Sequence, residues 1–161
     1  MLESRLPERP VVASCRARPT LEQLTAQADP GRGRWRDFHV PSSLQLAPLL
    51  DLLLLPIDGN SLQGRVRLGL QEALVNAVCH GNGRDPSLFL RIRRIECERW
   101  WVFQVQDQGQ GVPPARRRPC LPSDPCACAG RGLFLIHQCF DDVRWSRRGN
   151  RLQLAAWRQR P

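Results

Sequence analysis

The stretch EALVNAVCH, Glu72 to His80, carries a carboxylate, an amide and an imidazole at intervals of four, among residues that are otherwise apolar or small. On a helix that spacing puts Glu72, Asn76 and His80 on one narrow stripe. A carboxylate buried without a partner is costly or shifts its pKa, so the stripe calls for a ligand, a metal, water or bonded neighbours. A second carboxylate ends an apolar row. In ERWWVFQVQDQ, Trp101, Phe103 and Val105 share one face of a strand, and period two makes Asp107 the next residue on that face. Two glycine pairs follow, Gly109 and Gly111 in DQGQG, and Gly130 and Gly132 in GRG where a helix opens. Glycine lets a ligand come close to the backbone, and a helix N-terminus offers unpaired amides and partial positive charge to phosphate. Each signal has a plain alternative: Glu72 and Asn76 on a solvated helix face, Asp107 as a turn residue ahead of a glycine.

The elements that must position these residues can be read from the same sequence. WRDFHV, 35–40, reads as a short strand, and PSSLQLAPLLDLLLL, 41–55, as a helix opening at a serine cap with Pro48 in its middle. GNS at 59–61 starts the helix that bears the polar stripe, and Gly81 is its expected left-handed stop. In SLFLRIRRI, Leu88, Leu90 and Ile92 alternate with Phe89, Arg91 and Arg93, the pattern of a half-exposed strand. ERWWVFQVQDQ is the next strand, residues 112–129 form a long loop rich in Pro, Arg and Cys, and GRGLFLIHQCF returns to helix, with Leu133, Ile136, His137 and Phe140 on one side. DDVRWSRRGNRLQLAAW closes the chain as a hairpin turning at Gly149 and Asn150. The order β-α-α-β-β-loop-α-β-β gives an α+β fold, a two-layer sandwich with helices on one face of a mixed, mostly antiparallel sheet.

The chain of 161 residues suits one domain with a real core, here 35–161, preceded by a flexible Arg- and Pro-rich tail and linker, 1–34, in which only TLEQLTAQA is faintly helical. All 24 basic residues are arginine, against 15 acids, for a net charge of +9. That balance suits nucleic acid, acidic lipid or an acidic protein, but the arginines are spread along the chain rather than gathered into a patch, which favours a solvated basic surface. Seven cysteines, an odd number, without a leading apolar signal segment, point to free thiols in a reducing cytoplasmic setting. The most apolar run, LLDLLLLPI at 49–57, is too short to cross a bilayer and contains Asp51 and Pro56.

E-x-x-x-N on a helix, D-x-G-x-G after a strand, a loop, and G-x-G opening a helix together resemble the ATP-binding fold, the Bergerat or HATPase fold, shared by histidine kinases, GyrB-type topoisomerases, MutL-type repair proteins and heat-shock chaperones. LGLQEALVNAVCHGN and GRGLFLIHQCFDDV look most like its anti-sigma factor serine kinases, over roughly residues 36–158. The resemblance implies ATP and Mg²⁺ as cofactors, with Asn76 holding Mg²⁺ through its amide oxygen, which suits a hard ion that keeps several waters. Glu72 would be the general base on a serine hydroxyl or orient the attacking nucleophile. Asp107 would accept a hydrogen bond from the adenine amino group, Gly109 and Gly111 would give the purine room, and Gly130, Arg131 and Gly132 would meet the phosphates. His80 would cap its helix or approach phosphate.

The partners so implied are a sigma factor or similar regulator, which the protein sequesters, and an anti-sigma factor antagonist, which it phosphorylates on serine. Neither nucleic acid nor membrane is expected as a direct partner, and a homodimer is admitted. A nucleotide-dependent binding module without phosphotransfer, the detached catalytic part of a histidine kinase and an Arg-rich nucleic-acid binder are the other readings. Three features depart from the family pattern: the tail; the loop with Cys120, Cys126 and Cys128, open to inert thiols, redox sensing or a zinc site completed by Cys139 or His137; and Asn150 where many relatives carry threonine. Arg116, Arg117 and Arg118 in that loop are a solvated run or a contact to phosphate or a partner.

Overall fold

A computed structural model describes residues 34–119 and 130–158. The tail up to residue 33, with TLEQLTAQA, and the cysteines at 120, 126 and 128 lie outside the described residues. Five strands, β1 (Arg34–Pro41), β2 (Phe89–Glu96), β3 (Trp100–Gln106), β4 (Asp142–Trp145) and β5 (Arg151–Trp157), form one sheet in the order β1-β2-β3-β5-β4. Every pairing among the described residues is antiparallel. Three helices, α1 (Ala47–Leu54), α2 (Asn60–Asn76) and α3 (Gly132–Cys139), supply the second layer of an α+β sandwich.

The core lies between the layers. Val66, Leu70, Ala73 and Leu74 of α2, at helical spacing, bury against Leu90 and Ile92 of β2, Trp101, Phe103 and Val105 of β3, and Leu152 and Leu154 of β5. Ile136 and Phe140 close it from the side of α3, and the Phe140 ring meets Phe103 edge-on at 6.3 Å between centroids. Full burial of side chains of this size stabilises by about 1.5–3 kcal/mol each. The alternate residues of the sheet form a smaller cluster of Ile95, Trp100, Val102 and Ala155, with Trp100 and Trp157 stacked at 3.8 Å. Both faces of β3 are therefore buried, which explains its nearly unbroken apolar sequence.

Two sequence expectations are corrected. The helix expected over 41–55 begins only at Ala47, with Pro48 in its first turn and no side-chain cap. Proline lacks an amide hydrogen, so it belongs where helical amides are unpaired anyway, at the opening rather than in the middle. The C-terminus of α1 is held instead by Arg94, 9 % exposed, whose Nη1 donates to the carbonyls of Leu52 (3.1 Å) and Leu53 (3.0 Å). The second correction concerns Gly81. The chain continues from Asn76 into a π turn, Ala77–Gly81, and the left-handed residues come after it, Gly83 (φ 61°) and Arg84 (φ 63°). Gly81 is not a left-handed stop, and the closeness of a neighbouring side chain explains it instead.

Candidate functional site

α2 and α3 pack antiparallel, and two glycines set how closely. A methyl group built on Gly69 of α2 would stand 2.6 Å from Cys139 Cβ and from the Phe140 ring, at the C-terminal end of α3. One built on Gly132, the first residue of α3, would stand 3.0 Å from Glu72 Oε2, 3.3 Å from Asn76 Nδ2 and 3.5 Å from Asn76 Oδ1. The N-terminus of α3 thus abuts the carboxylate and amide of the α2 stripe. Its N-cap residue Arg131 makes no side-chain cap bond, so the first-turn amides and their partial positive charge lie beside Glu72 and Asn76. Both side chains are half-buried, and no hydrogen bond or ion pair among the described residues engages either of them. Arg65, one further step along the same face, donates from both Nη atoms to Asp141 Oδ2 (3.3 Å each), tying α2 to the far end of α3.

The other end of the stripe reaches Asp107. Asp107 follows β3 as the alternation requires, and its carboxylate packs directly on Gly81. A methyl group there would overlap Asp107 Cγ and stand 2.6 Å from Oδ2. Gly109 in turn lies against the Gly81 carbonyl, with no room for a side chain. Asp107 Oδ1 accepts the Gly109 N–H at 2.9 Å, so the turn role and a recognition role are compatible, because Oδ2 is left for another donor. Burial pushes the Asp107 carboxyl above the ordinary aspartate range, against the lowering effect of the Gly109 amide, of its own backbone amide and of Arg148. From Asn76 to Gly81 is five residues, so the phosphate-suited end and Asp107 are joined along the helix by roughly 7 Å. A π turn there is a common device at ligand sites. It delivers the Gly81 backbone to Asp107 and Gly109.

Glu72, Asn76 and Gly132 converge, and so do Asp107, Gly109 and Gly81. Gly111 (φ 92°) is placed elsewhere: it packs on the carbonyl of Arg148, in the turn between β4 and β5, while the adjacent Val112 N–H donates to Gly149 O (3.0 Å). Gly130 (φ 90°) and Arg131 are exposed at the start of α3, and His80 is exposed in the π turn. Arg117 is tied down rather than left as a solvated charge. Its guanidinium donates to the carbonyls of Val112 (2.7 Å), Ser146 (3.2 Å) and Arg147 (3.1 Å), clasping the β4–β5 turn to the loop after Gly111. Among the described residues no three His, Cys, Asp or Glu side chains cluster as metal ligands, and no helix is long and apolar enough to cross a membrane.

Three residues to which sequence patterns assigned no role in the site complete it. Asn82, 4 % exposed, accepts the Gln108 N–H at Oδ1 (2.8 Å) and donates from Nδ2 to Phe89 O (3.2 Å). Gln108 Oε1 accepts the Phe89 N–H at 2.6 Å. Asn150 pairs with Asp107 twice, accepting its N–H at 3.0 Å and donating from Nδ2 to its carbonyl at 3.2 Å. The one signal for Asn82 was its place after the helix-ending His-Gly; Asn150 was marked only by its place in the β4–β5 turn and by standing where many relatives carry threonine.

A model of the histidine kinase-like ATPase domain matches residues 57–156, from the approach to α2 to the end of β5. No curated protein matches the chain. The matched span contains every element that bears the converging residues.

Proposed function

The chain belongs to the histidine kinase-like ATPase family, and from that premise we propose that it is an anti-sigma regulatory factor that binds ATP with Mg²⁺ and phosphorylates a serine on an antagonist protein. One observation carries the reading. Among the described residues no hydrogen bond or ion pair engages the half-buried carboxylate of Glu72 and amide of Asn76, which face the N-terminus of α3, and Asp107 packs on Gly81, about 7 Å further along the same helix. An adenine nucleotide has the matching order: an exocyclic amine at one end, an anionic phosphate chain at the other.

The residues divide the work accordingly. Asp107 Oδ2 accepts from the adenine amino group, and the packing of Gly81 and Gly109 fixes where that oxygen stands. The first-turn amides of α3, from Gly132, receive phosphate oxygens, and Arg131 at its N-cap adds charge. The residues fit Mg²⁺, since the Asn76 side chain makes no hydrogen bond among the described residues and Gly132 leaves room where any other residue would put a Cβ. Asn76 Oδ1 would hold the ion, which when bound neutralises charge on the phosphates. Glu72 takes the proton of the acceptor serine as its Oγ bonds to the γ-phosphorus; the bond to the β,γ-bridging oxygen breaks and ADP leaves. In partner switching, the protein holds a sigma factor or similar regulator and modifies the antagonist, which then lets go.

The test mixes the full chain with Mg-ATP and candidate antagonists and looks for phosphoserine. Transfer by the wild type that falls by about 10²–10⁴ in Glu72→Ala, while ATP still binds, supports the kinase. ATP binding without transfer to any antagonist would leave a nucleotide-dependent binding module instead.

A further inference from the structure

We infer that Asn82 and Asn150 are positioning residues that aim the Asp107 carboxylate and so set the preference of the site for adenine over guanine nucleotides. The inference rests on the nucleotide reading above but concerns residues which that reading does not use. Asp107 lies one residue beyond β3, where the ladder hydrogen bonds of the strand end. A terminal residue of that kind frays unless something holds it.

Two amides do so from opposite sides. Asn150, just before β5, continues the pairing by accepting the Asp107 N–H on its backbone carbonyl and closes the other side by donating from Nδ2 to the Asp107 carbonyl. Asn82 takes the next amide, the N–H of Gln108, on Oδ1 at 2.8 Å. Asn82 is itself immobilised at every polar group. Its N–H donates to Ala77 O (2.8 Å), its carbonyl accepts from Asp85 N–H (3.0 Å), and its Nδ2 donates to Phe89 O (3.2 Å). The end of the π turn, the start of β2 and the backbone after Asp107 thus meet on one buried side chain. Neither asparagine need touch a nucleotide, since both act on the backbone that carries the carboxylate.

The chemistry makes this a specificity device. Adenine presents an amino donor where guanine presents a carbonyl acceptor. A carboxylate oxygen held in place attracts the first and repels the second, whereas one that swings away loses both effects. Loosening the clasp therefore narrows the ratio of ATP to GTP affinity, whereas general destabilisation of the fold weakens both nucleotides alike.

The experiment measures Kd for Mg-ATP and Mg-GTP on the full chain by calorimetry, in wild type, Asn82→Ala and Asn150→Ala. Asn150→Ala keeps the backbone pairing of residue 150 and serves if Asn82→Ala does not fold. The expected result is an ATP-to-GTP preference that falls about tenfold in either variant, the equivalent of one hydrogen bond at about 1.4 kcal/mol. Equal loss for both nucleotides, or an unchanged ratio, overturns the inference alone. Wild type that binds neither nucleotide, or shows no preference for ATP, overturns the reading of the site and this inference with it.

Discussion

Alanine at position 81 separates the two things the π turn does, which are to continue the helix and to make room for Asp107. A methyl group there would lie 2.6 Å from Asp107 Oδ2 and 2.7 Å from its Cβ, and would overlap Cγ, so the carboxylate must move. It has little freedom to do so, with Oδ1 on the Gly109 amide at 2.9 Å and its backbone paired to Asn150. In a helical turn alanine is favoured over glycine by about 0.5–1 kcal/mol, whereas overpacking costs about 1–3 kcal/mol, so the net loss of stability is about 0–2.5 kcal/mol. A hydrogen bond to a charged group contributes about 1.5–3 kcal/mol, so displacing the carboxylate from the purine weakens ATP roughly 10- to 150-fold. The signature of Gly81→Ala is therefore a loss of affinity larger than its loss of stability, measured by calorimetry with Mg-ATP beside urea unfolding. Gly69→Ala is the companion, since its clash with Cys139 and Phe140 lies at the other end of α3 from Gly132. It should lose stability at least as much and ATP affinity less. Gly81→Ala binding Mg-ATP as tightly as wild type would refute the placement of Asp107 in the site.

Burial holds the Asp107 carboxyl above the ordinary aspartate range, so between that range and its raised value the folded protein keeps a proton that the unfolded chain has released. The contribution of this group to stability therefore falls as pH rises through that window and is level above it. ATP affinity should run the opposite way, rising over the same window as the acceptor ionises, and Asp107→Asn should flatten both profiles; identical slopes in wild type and variant would contradict the assignment. Asp141→Ala removes the acceptor shared by the Arg65 guanidinium and the Trp157 N–H (2.9 Å), and urea unfolding should show a loss of about 1–3 kcal/mol, with no loss counting against its role as the tie between α2 and β5.

What could be read along the chain was what repeats along the chain. Trp101, Phe103 and Val105 alternate, so the face of β3 that meets α2 and the position of Asp107 just past it followed from period two. Glu72 and Asn76 lie four apart, so their shared stripe followed from the helix. What these periods cannot hold is contact between segments far apart in sequence. The role of Gly81 depends on Asp107, 26 positions on, and that of Asn150 on the same aspartate from 43 positions away. Local turn chemistry therefore suggested a left-handed stop at Gly81, where the cause is a neighbouring carboxylate. Pro48 misled for a related reason: a proline marks a helix start as readily as an interruption, and only the burial of Leu50, Leu53 and Leu54 decides where α1 begins.

The arrangement of glycines explains how Glu72 and Asn76 can stand in this fold without hydrogen-bond partners among the described residues. Ordinarily a half-buried carboxylate or amide is positioned by the hydrogen bonds it makes, and once positioned it has nothing left to offer. Here α2 and the turn after it are located by close contacts that use no hydrogen bond of the stripe: Gly69 against Cys139 and Phe140, Gly132 over the stripe, and Gly81 beneath Asp107. The Arg65–Asp141 pair fixes the remaining end. Steric contact is short-ranged and unforgiving, so it can hold Glu72 and Asn76 in place while leaving their lone pairs unused. A group preorganised by packing, with its hydrogen-bonding capacity intact, gives that capacity to a ligand at little further ordering cost.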